Sequence, residues 1–530
     1  MIHVSMPSKI IILLVIVCAF LSFVNLLWGA PFFFHPDERN IIYSITQLNF
    51  PTQLNPHFFA YGSMPMYITF FLGLAIAKFR ETSLTFDQAL FMLRTISALL
   101  SIGTLISLYI ISKKFWGISA ARIAATLWTF SIGAIQFAHF GTFEMWQCFL
   151  MVWFFYFFAG CIKKNSAQHT FWMAVLLGLL VGTKVSYLPF LLFPFLLFLV
   201  RYFTSPKQEH LLHFFLTLLI SGGIYALTNP FVLLDTKEFL DSIHYESSVA
   251  LGTLPVFYTQ GFLQTTPGIY QLMHVLPFLL NPVGYAAGIF SLFYVLFWSL
   301  RTRKADYRLL LLVSFIFFLF FSNAFLFVKW TRYMMPLLPF MYLLIAWCMQ
   351  TLSATSHKIL MRVCLFSLLA GSMLWSVAYT KTVFFSPDTR VSAAAWANTH
   401  LLNPNIVMGE PYDLGIIPFN VYFPHIQLPD MYGADTDQTA AAKVKSVFQN
   451  ADVFILPSQR IMKARLSSPQ LFPVTSPLYQ SLFETSGAFT LVYQTPCDLL
   501  CKLTYWGDPL WFEETATVFD RPVVFIFKRT

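Results

Sequence analysis

The sequence predicts a polytopic α-helical membrane protein with a small α/β domain at its C-terminal end. Three observations predict it. Of 530 residues, 57% are hydrophobic and only 11% are charged, against about 25% charged in soluble domains; the mean hydropathy is +0.66. The apolar residues gather into long runs, eleven of which read as membrane spans. From about residue 381 those runs stop and soluble-domain patterns begin.

The spans follow in order. Span 1 is expected over about 9–29, span 2 over 89–112, span 3 over 118–138 and span 4 over 145–162. Residues 171–200 form one apolar stretch, interrupted at Gly182-Thr183-Lys184 and at Pro189, and are read as two short spans, 5 and 6, meeting at Lys184. Spans 7 to 11 are expected over about 211–229, 283–300, 309–327, 335–350 and 359–379. Three interfacial segments are expected: 37–48, 64–79 (closed by Arg80-Glu81) and 268–280. Residues 235–266 read as a polar loop. In the C-terminal part, 389–400 reads as an amphipathic helix, and 405–409, 452–456, 489–494 and 517–528 read as strands. The domains are thus 1–380 and 381–530. The first run is expected to be a retained signal anchor, although Trp28-Gly29-Ala30 leaves cleavage open.

Charge orients the chain. Lys9, Lys113, Lys114, Lys163, Lys164, Arg201, Lys207, Arg301, Arg303, Lys304, Arg308, Lys358 and Arg362 fall on one side, opposed only by Glu209 and Asp306. The other side holds Asp37, Glu38, Glu81, Asp87, Glu144, Asp235, Glu238, Asp241 and Glu246. Cations stay in the cytoplasm, so the N-terminus is expected inside and the C-terminal domain outside. One span instead of two over 171–200 would break this pattern. The net charge of +9 is thereby topological, and no nucleic-acid partner is expected. The C-terminal domain has no Asn-x-Ser/Thr sequon, which favours a bacterial inner membrane over an ER one. Five of seven cysteines read as small core residues. Cys497 and Cys501 leave a disulfide open.

The sharpest chemical signal is Asp37-Glu38, directly after span 1 and crowded by His35, Pro36 and Arg39. A carboxylate at the mouth of an apolar cavity can act as a general base, whereas an isolated acidic pair is often a solvated turn. The connector 55–63, with His57 and Tyr61, is unusually polar and aromatic. Glu144 is the one acid between residues 88 and 208, and Lys184 is a lone cation inside a long apolar stretch, a site candidate unless it snorkels. Lys329 and Arg332 occupy the turn between spans 9 and 10, and Arg94 lies near the start of span 2. Such cations also bind lipid phosphate, and His57 and His139 are by themselves more often structural. Glu513, Glu514 and Asp520 read as surface. Acids and cations on one face suit a substrate with a phosphate and a lipid tail. Neither a Walker-type nor a dinucleotide-binding glycine motif is present, which speaks against a nucleotide-sugar donor.

These residues resemble the GT-C class of membrane glycosyltransferases, specifically the protein O-mannosyltransferase and aminoarabinose-transferase-like superfamily. "HPDERN" looks like its acidic motif, "HFGTFEMW" occupies the place of its second outer acid, and "GLLVGTKVSYLPFLL" resembles its lysine-bearing segment. "TNPFVLLD", "RYMMPLLPF" and the tail "ETATVFDRPVVFIFKR" are similar to later motifs. The resemblance implies an inverting transfer from a polyprenyl-phosphate sugar on the extracytoplasmic side. Asp37 matches the base, Glu144 the second acid, and Lys184 and Arg332 the phosphate side. Glu38 is assigned to positioning or a structural salt bridge within the catalytic set. His35, His57, Tyr61, Arg94, His139 and Lys329 complete the expected substrate-binding set. Some relatives use a divalent metal and others none; Asp37 and Glu144 would hold one. The competing reading is a transporter or flippase, for which internal repeats and midplane charges are the signature; here no repeat is visible and the polar groups cluster at one face. Eleven spans are excessive for a mere anchor of a binding domain.

Overall fold

The computed structural model describes residues 9–76, 82–164, 166–302, 306–353, 358–402, 404–411, 413–484, 487–504 and 511–530. Among these, eight helices are long and apolar enough to cross a membrane, and Ile118–Thr129 with Ile132–Ala138, bent by 56°, makes a ninth. The shorter apolar helices Lys9–Phe23 and Ala167–Thr183 complete the eleven expected spans. Met64–Ile76, expected to lie at the interface, is a further short apolar helix; its end at 77–79, Arg80-Glu81, and the counted cations Arg303 and Lys304 lie outside the described residues.

The chain does reverse at Lys184. Ala167–Thr183 ends there, Lys184 is extended (φ −163°, ψ 125°), and Val185–Leu191 forms a 3-10 turn leading into Leu192–Thr204. Arg201 Nη2 donates to the carbonyls of Cys161 (2.5 Å) and Ile162 (3.3 Å), so span 6 ends beside the start of span 5. At the opposite end, the Gly62 amide donates to the Thr183 carbonyl at 2.9 Å. The basic connections share one end of the bundle: Arg308 donates to the Phe115 carbonyl (2.8 Å) and Gln350 to that of Trp116 (2.5 Å).

Spans 4 and 10 form the centre, with 72% and 83% of their apolar windows buried, whereas spans 6, 7, 8 and 11 bury 11–22% and present aliphatic and aromatic side chains outward, as lipid contact requires. Residues 235–266 are not a loop. Asp235 caps Thr236–Leu251 by accepting from the Glu238 amide (3.4 Å), and Gly252 (φ +76°) ends that helix in a left-handed turn. A Cβ at Gly252 would also press on Phe327 at 2.6 Å.

Span 11 runs on to Phe385, five residues past the expected boundary. Beyond it stands a four-stranded sheet ordered β1-β2-β4-β3, with β1 (Val407–Gly409) parallel to β2 (Val453–Leu456) and β4 (Phe525–Arg529) antiparallel to β2 and to β3 (Phe489–Gln494). Helix Thr389–His400 covers one face and Gln438–Asn450 the other. The expected strand 517–528 begins only at Phe525. Thr515–Asp520 is wound as a π-helical turn because it is buried against the bundle: Gln136 and Tyr379 both donate to Asp520 at 2.5 Å. Cys497 and Cys501 are bonded, with Cα atoms 5.2 Å apart.

One buried ion pair fixes the end of the bundle opposite the cations. Arg94 Nε and Nη2 each donate at 2.7 Å to the two oxygens of Glu38, and both residues are wholly buried. The Gly141 amide donates to Glu38 Oε1 at 2.7 Å, and Arg94 Nη1 reaches the carbonyls of Leu26 (2.8 Å) and Trp28 (3.0 Å). Gly141 has no room for a side chain, since its Cβ would lie 2.8 Å from Glu38 Oε1. Removing one partner leaves the other charge buried and unpaired, at a cost of about 3–5 kcal/mol. Arg94→Met is therefore expected to lower the melting temperature in detergent, and Glu38→Gln combined with Arg94→Met to recover part of the loss in a double-mutant cycle.

Candidate active site

The end fixed by Glu38 opens into a cavity of about 470 Å³. The N-terminal turn of Pro36–Thr46 brings His35, Pro36, Asp37 and Asn40 to it; Phe58, Ala60 and Tyr61 come from the first connection, and Lys184 from the span 5–6 reversal. Tyr245 and Glu246 come from Thr236–Leu251, Trp330, Arg332 and Tyr333 from the turn before span 10, and Arg460, Glu514, Thr515 and Phe519 from the C-terminal domain.

Asp37 is ion-paired with Arg332 and accepts from the Tyr61 hydroxyl at 3.4 Å. Arg332 stacks on Trp330 at 4.2 Å, and its buried Nε has no hydrogen-bond partner among the described residues. Lys184 Nζ lies 5.3 Å from the Tyr61 ring centre and 4.6 Å from that of Tyr333, a cation–π seat in a half-buried site. His35 caps the helix through Nδ1, which accepts from the Glu38 amide at 3.5 Å. Burial, reinforced by Arg332, Arg94 and Arg460, holds its imidazole well below the ordinary range, so it stays neutral and keeps that acceptor.

Six residues that sequence reasoning put with substrate or chemistry stand outside the cavity, Glu38 in one of the two roles expected for it, a structural salt bridge. Glu38 and Arg94 are the buried clamp. His139 has its ring nitrogens 2.8 Å from the carbonyls of Ile135 and Val24 and stacks on Phe384 at 3.7 Å, pinning the span 3–4 turn to span 1. His57 pairs with Glu238 at 2.9 Å on the exposed rim. Lys329 donates to the Phe327 carbonyl at 2.7 Å, and burial pushes its ammonium down to about 8. Glu144, at the start of span 4, is buried behind the Thr142 wall without lining the cavity, and its Oε2 has no hydrogen-bond partner among the described residues. Asp37 is already engaged by Arg332 and Tyr61, and the one group of three metal-ligating side chains among the described residues does not include Asp37 or Glu144.

The surface reading of Glu513, Glu514 and Asp520 is corrected. Glu513 is buried and accepts from the amides of Thr331 and Thr515, both at 3.1 Å. Glu514 lines the cavity in an ion pair with Arg460. Burial raises its carboxyl and that of Glu246, opposed by Arg460 and Lys184 respectively. Glu246 stood in the outer acid count, and an amphipathic reading of 236–251 would have found it. Arg460 carries no local signal.

No protein-family model matches the chain, and no curated protein matches it in sequence. Solved structures do match. ArnT from Cupriavidus metallidurans, bound to undecaprenyl phosphate, is 12% identical over 97% of this chain and 97% of its own, with a TM-score of 0.51. The chain shares the fold of ArnT. The oligosaccharyltransferase of Archaeoglobus fulgidus, tethered to an acceptor peptide, matches 98% of this chain and 88% of its own at 11% identity, again with a TM-score of 0.51. The fold expected from "HPDERN" and its companion motifs is thus the one found.

Asp520 supplies a pH test of how the C-terminal domain docks. Burial pushes its carboxyl up from 3.8 to about 7. The docked form therefore holds a proton that the undocked form has lost, and docking weakens as pH rises from about 4 to about 7. Amide exchange of residues 511–521, corrected for intrinsic rates, is expected to accelerate over that range and to become pH-independent in Asp520→Asn.

Proposed function

We propose that the protein is a membrane glycosyltransferase that moves a sugar from a polyprenyl-phosphate donor to an acceptor hydroxyl. The observation that carries this reading is that Asp37 shares one cavity with Lys184 and Arg332, at the end of the bundle fixed by the Glu38–Arg94 pair. The shared fold with ArnT, whose solved structure contains undecaprenyl phosphate, supports the donor class.

In this mechanism the acceptor hydroxyl attacks the anomeric carbon from the face opposite the phosphate and inverts the configuration. Asp37 takes the hydroxyl proton as the new C–O bond forms, and the polyprenyl phosphate leaves with the electrons of the broken bond. Arg332 and Lys184 stabilise the charge that develops on the leaving phosphate, inside a wall of aromatic rings that keeps the local dielectric low. In the resting protein Arg332 neutralises Asp37. A donor phosphate competes for that guanidinium and releases Asp37 as a base, so the base is armed only when donor is bound.

The cavity is proposed to face the extracytoplasmic side, with the N-terminus cytoplasmic. Its distance from Lys113, Lys114, Lys163, Arg201 and Arg308 supports this orientation, and the Cys497–Cys501 disulfide suits an oxidising compartment.

Purified Asp37→Asn supplied with an undecaprenyl-phosphate sugar is expected to lose transfer by about 10²–10⁴-fold, the scale of a general base. Full transfer by that variant would remove Asp37 from the role. Lys184→Gln is expected to lower kcat and raise KM for the donor together.

A further inference from the structure

Outside the cavity, one cluster of metal-ligating side chains stands on the exposed rim. His57, Asp235 and Glu238 each offer a ligand atom, and these atoms lie within 4.8 Å of one another. It is the one such group of three among the described residues. We propose that this cluster is a zinc-class divalent cation site that staples the first connection to helix Thr236–Leu251.

The donor set decides the class of ion. An imidazole with two carboxylates suits zinc and its transition-metal neighbours, whereas calcium and magnesium prefer all-oxygen shells. Three protein ligands leave a fourth, tetrahedral position for water on the solvent side. The ligands are already close: His57 Nδ1 is 2.9 Å from Glu238 Oε2, and an ion between them needs little movement to reach donor distances of about 2.0–2.2 Å. Asp235 is oriented from outside the set, because Asn55 Nδ2 donates to its Oδ2 at 2.9 Å. That arrangement is the outer-shell support metal-binding carboxylates commonly have.

The two stapled segments are also two walls of the cavity. His57 precedes Phe58, Ala60 and Tyr61, and the helix that starts at Asp235 carries Tyr245 and Glu246. Without an ion they are joined there by the Asn55–Asp235 hydrogen bond and by a surface ion pair between side chains 46% and 39% exposed, which contributes little at physiological salt. With an ion, the position of Tyr61, and through it of Asp37, is tied to the helix bearing Glu246. The site stabilises the cavity wall and takes no part in bond making, so it stands or falls independently of the transfer reaction.

The test uses the full chain in lipid nanodiscs, stripped with chelator and titrated with Zn²⁺ and, separately, Co²⁺. Wild-type protein is expected to bind one equivalent, to show the d–d absorption of tetrahedral Co²⁺, and to melt at a higher temperature with Zn²⁺ present. His57→Ala and Glu238→Gln are expected to weaken binding by more than the about 10–100-fold that loss of an outer-shell partner costs. Asp241→Asn, one turn further along the same helix, is expected to bind as wild type. Amide exchange in 55–63 and 235–246 is expected to slow on adding Zn²⁺ in wild type and not in His57→Ala. Wild type that binds no zinc, or binds it equally well with His57→Ala, would overturn the site and leave an ordinary His–Glu ion pair.

Discussion

The clamp between Glu38 and Arg94 sets the geometry of everything around the cavity. Two adjacent carboxylates at a helix N-terminus point about 100° apart. Once Glu38 is gripped by Arg94 and the Gly141 amide, Asp37 has one direction left, toward the cavity. The same guanidinium holds the carbonyls of Leu26 and Trp28, which fixes where span 1 ends and the acidic turn begins. A fully buried ion pair of this kind is weak evidence for net stability, because both charges lose their hydration. Its contribution here is position: it joins the exit of span 1, the start of span 2 and the span 3–4 turn at one point.

Around that point the cavity is organised as matched charges. Asp37 meets Arg332, and Glu514 meets Arg460, while Lys184 is the cation that acts on Glu246. Four of these six residues belong to the membrane bundle. Arg460 and Glu514 belong to the C-terminal domain, held in place by Glu513 on Thr331 and by Asp520 on Gln136 and Tyr379. The domain therefore completes the wall of the cavity. A balanced cavity has low net charge at rest; an entering phosphate must displace a carboxylate from a guanidinium. In the proposed mechanism the Arg332–Asp37 pair is the one that yields, since Arg332 lines the cavity together with Lys184.

Much of this was legible in the sequence where the signal is local. Apolar run length located the spans, and the breaks at Gly182-Thr183-Lys184 and Pro189 marked where the chain reverses, because a lysine there has to reach polar surroundings. Asp37, Lys184 and Arg332 were visible as ionisable residues beside long apolar runs. What failed was everything decided by distant partners. Arg94 and Glu38 look equally available in sequence, and only their meeting removes both from the substrate. Glu513, Glu514 and Asp520 have the composition of a surface; docking against the bundle buries them. Thr515–Asp520 has strand propensity, and the contact with Gln136 and Tyr379 winds it instead. Thr236–Leu251 was hidden because its polar residues suggested a loop, although Asp235 and Gly252 mark a capped helix.

The central claim is that Arg332 is shared between Asp37 and the donor phosphate. Native mass spectrometry of the purified protein titrated with undecaprenyl phosphate tests it most directly. Neutralising Asp37 as Asn frees the guanidinium, so that variant should bind the lipid more tightly than wild type, and Arg332→Gln should bind it more weakly. Equal affinity in all three proteins, or weaker binding in Asp37→Asn, would contradict the account.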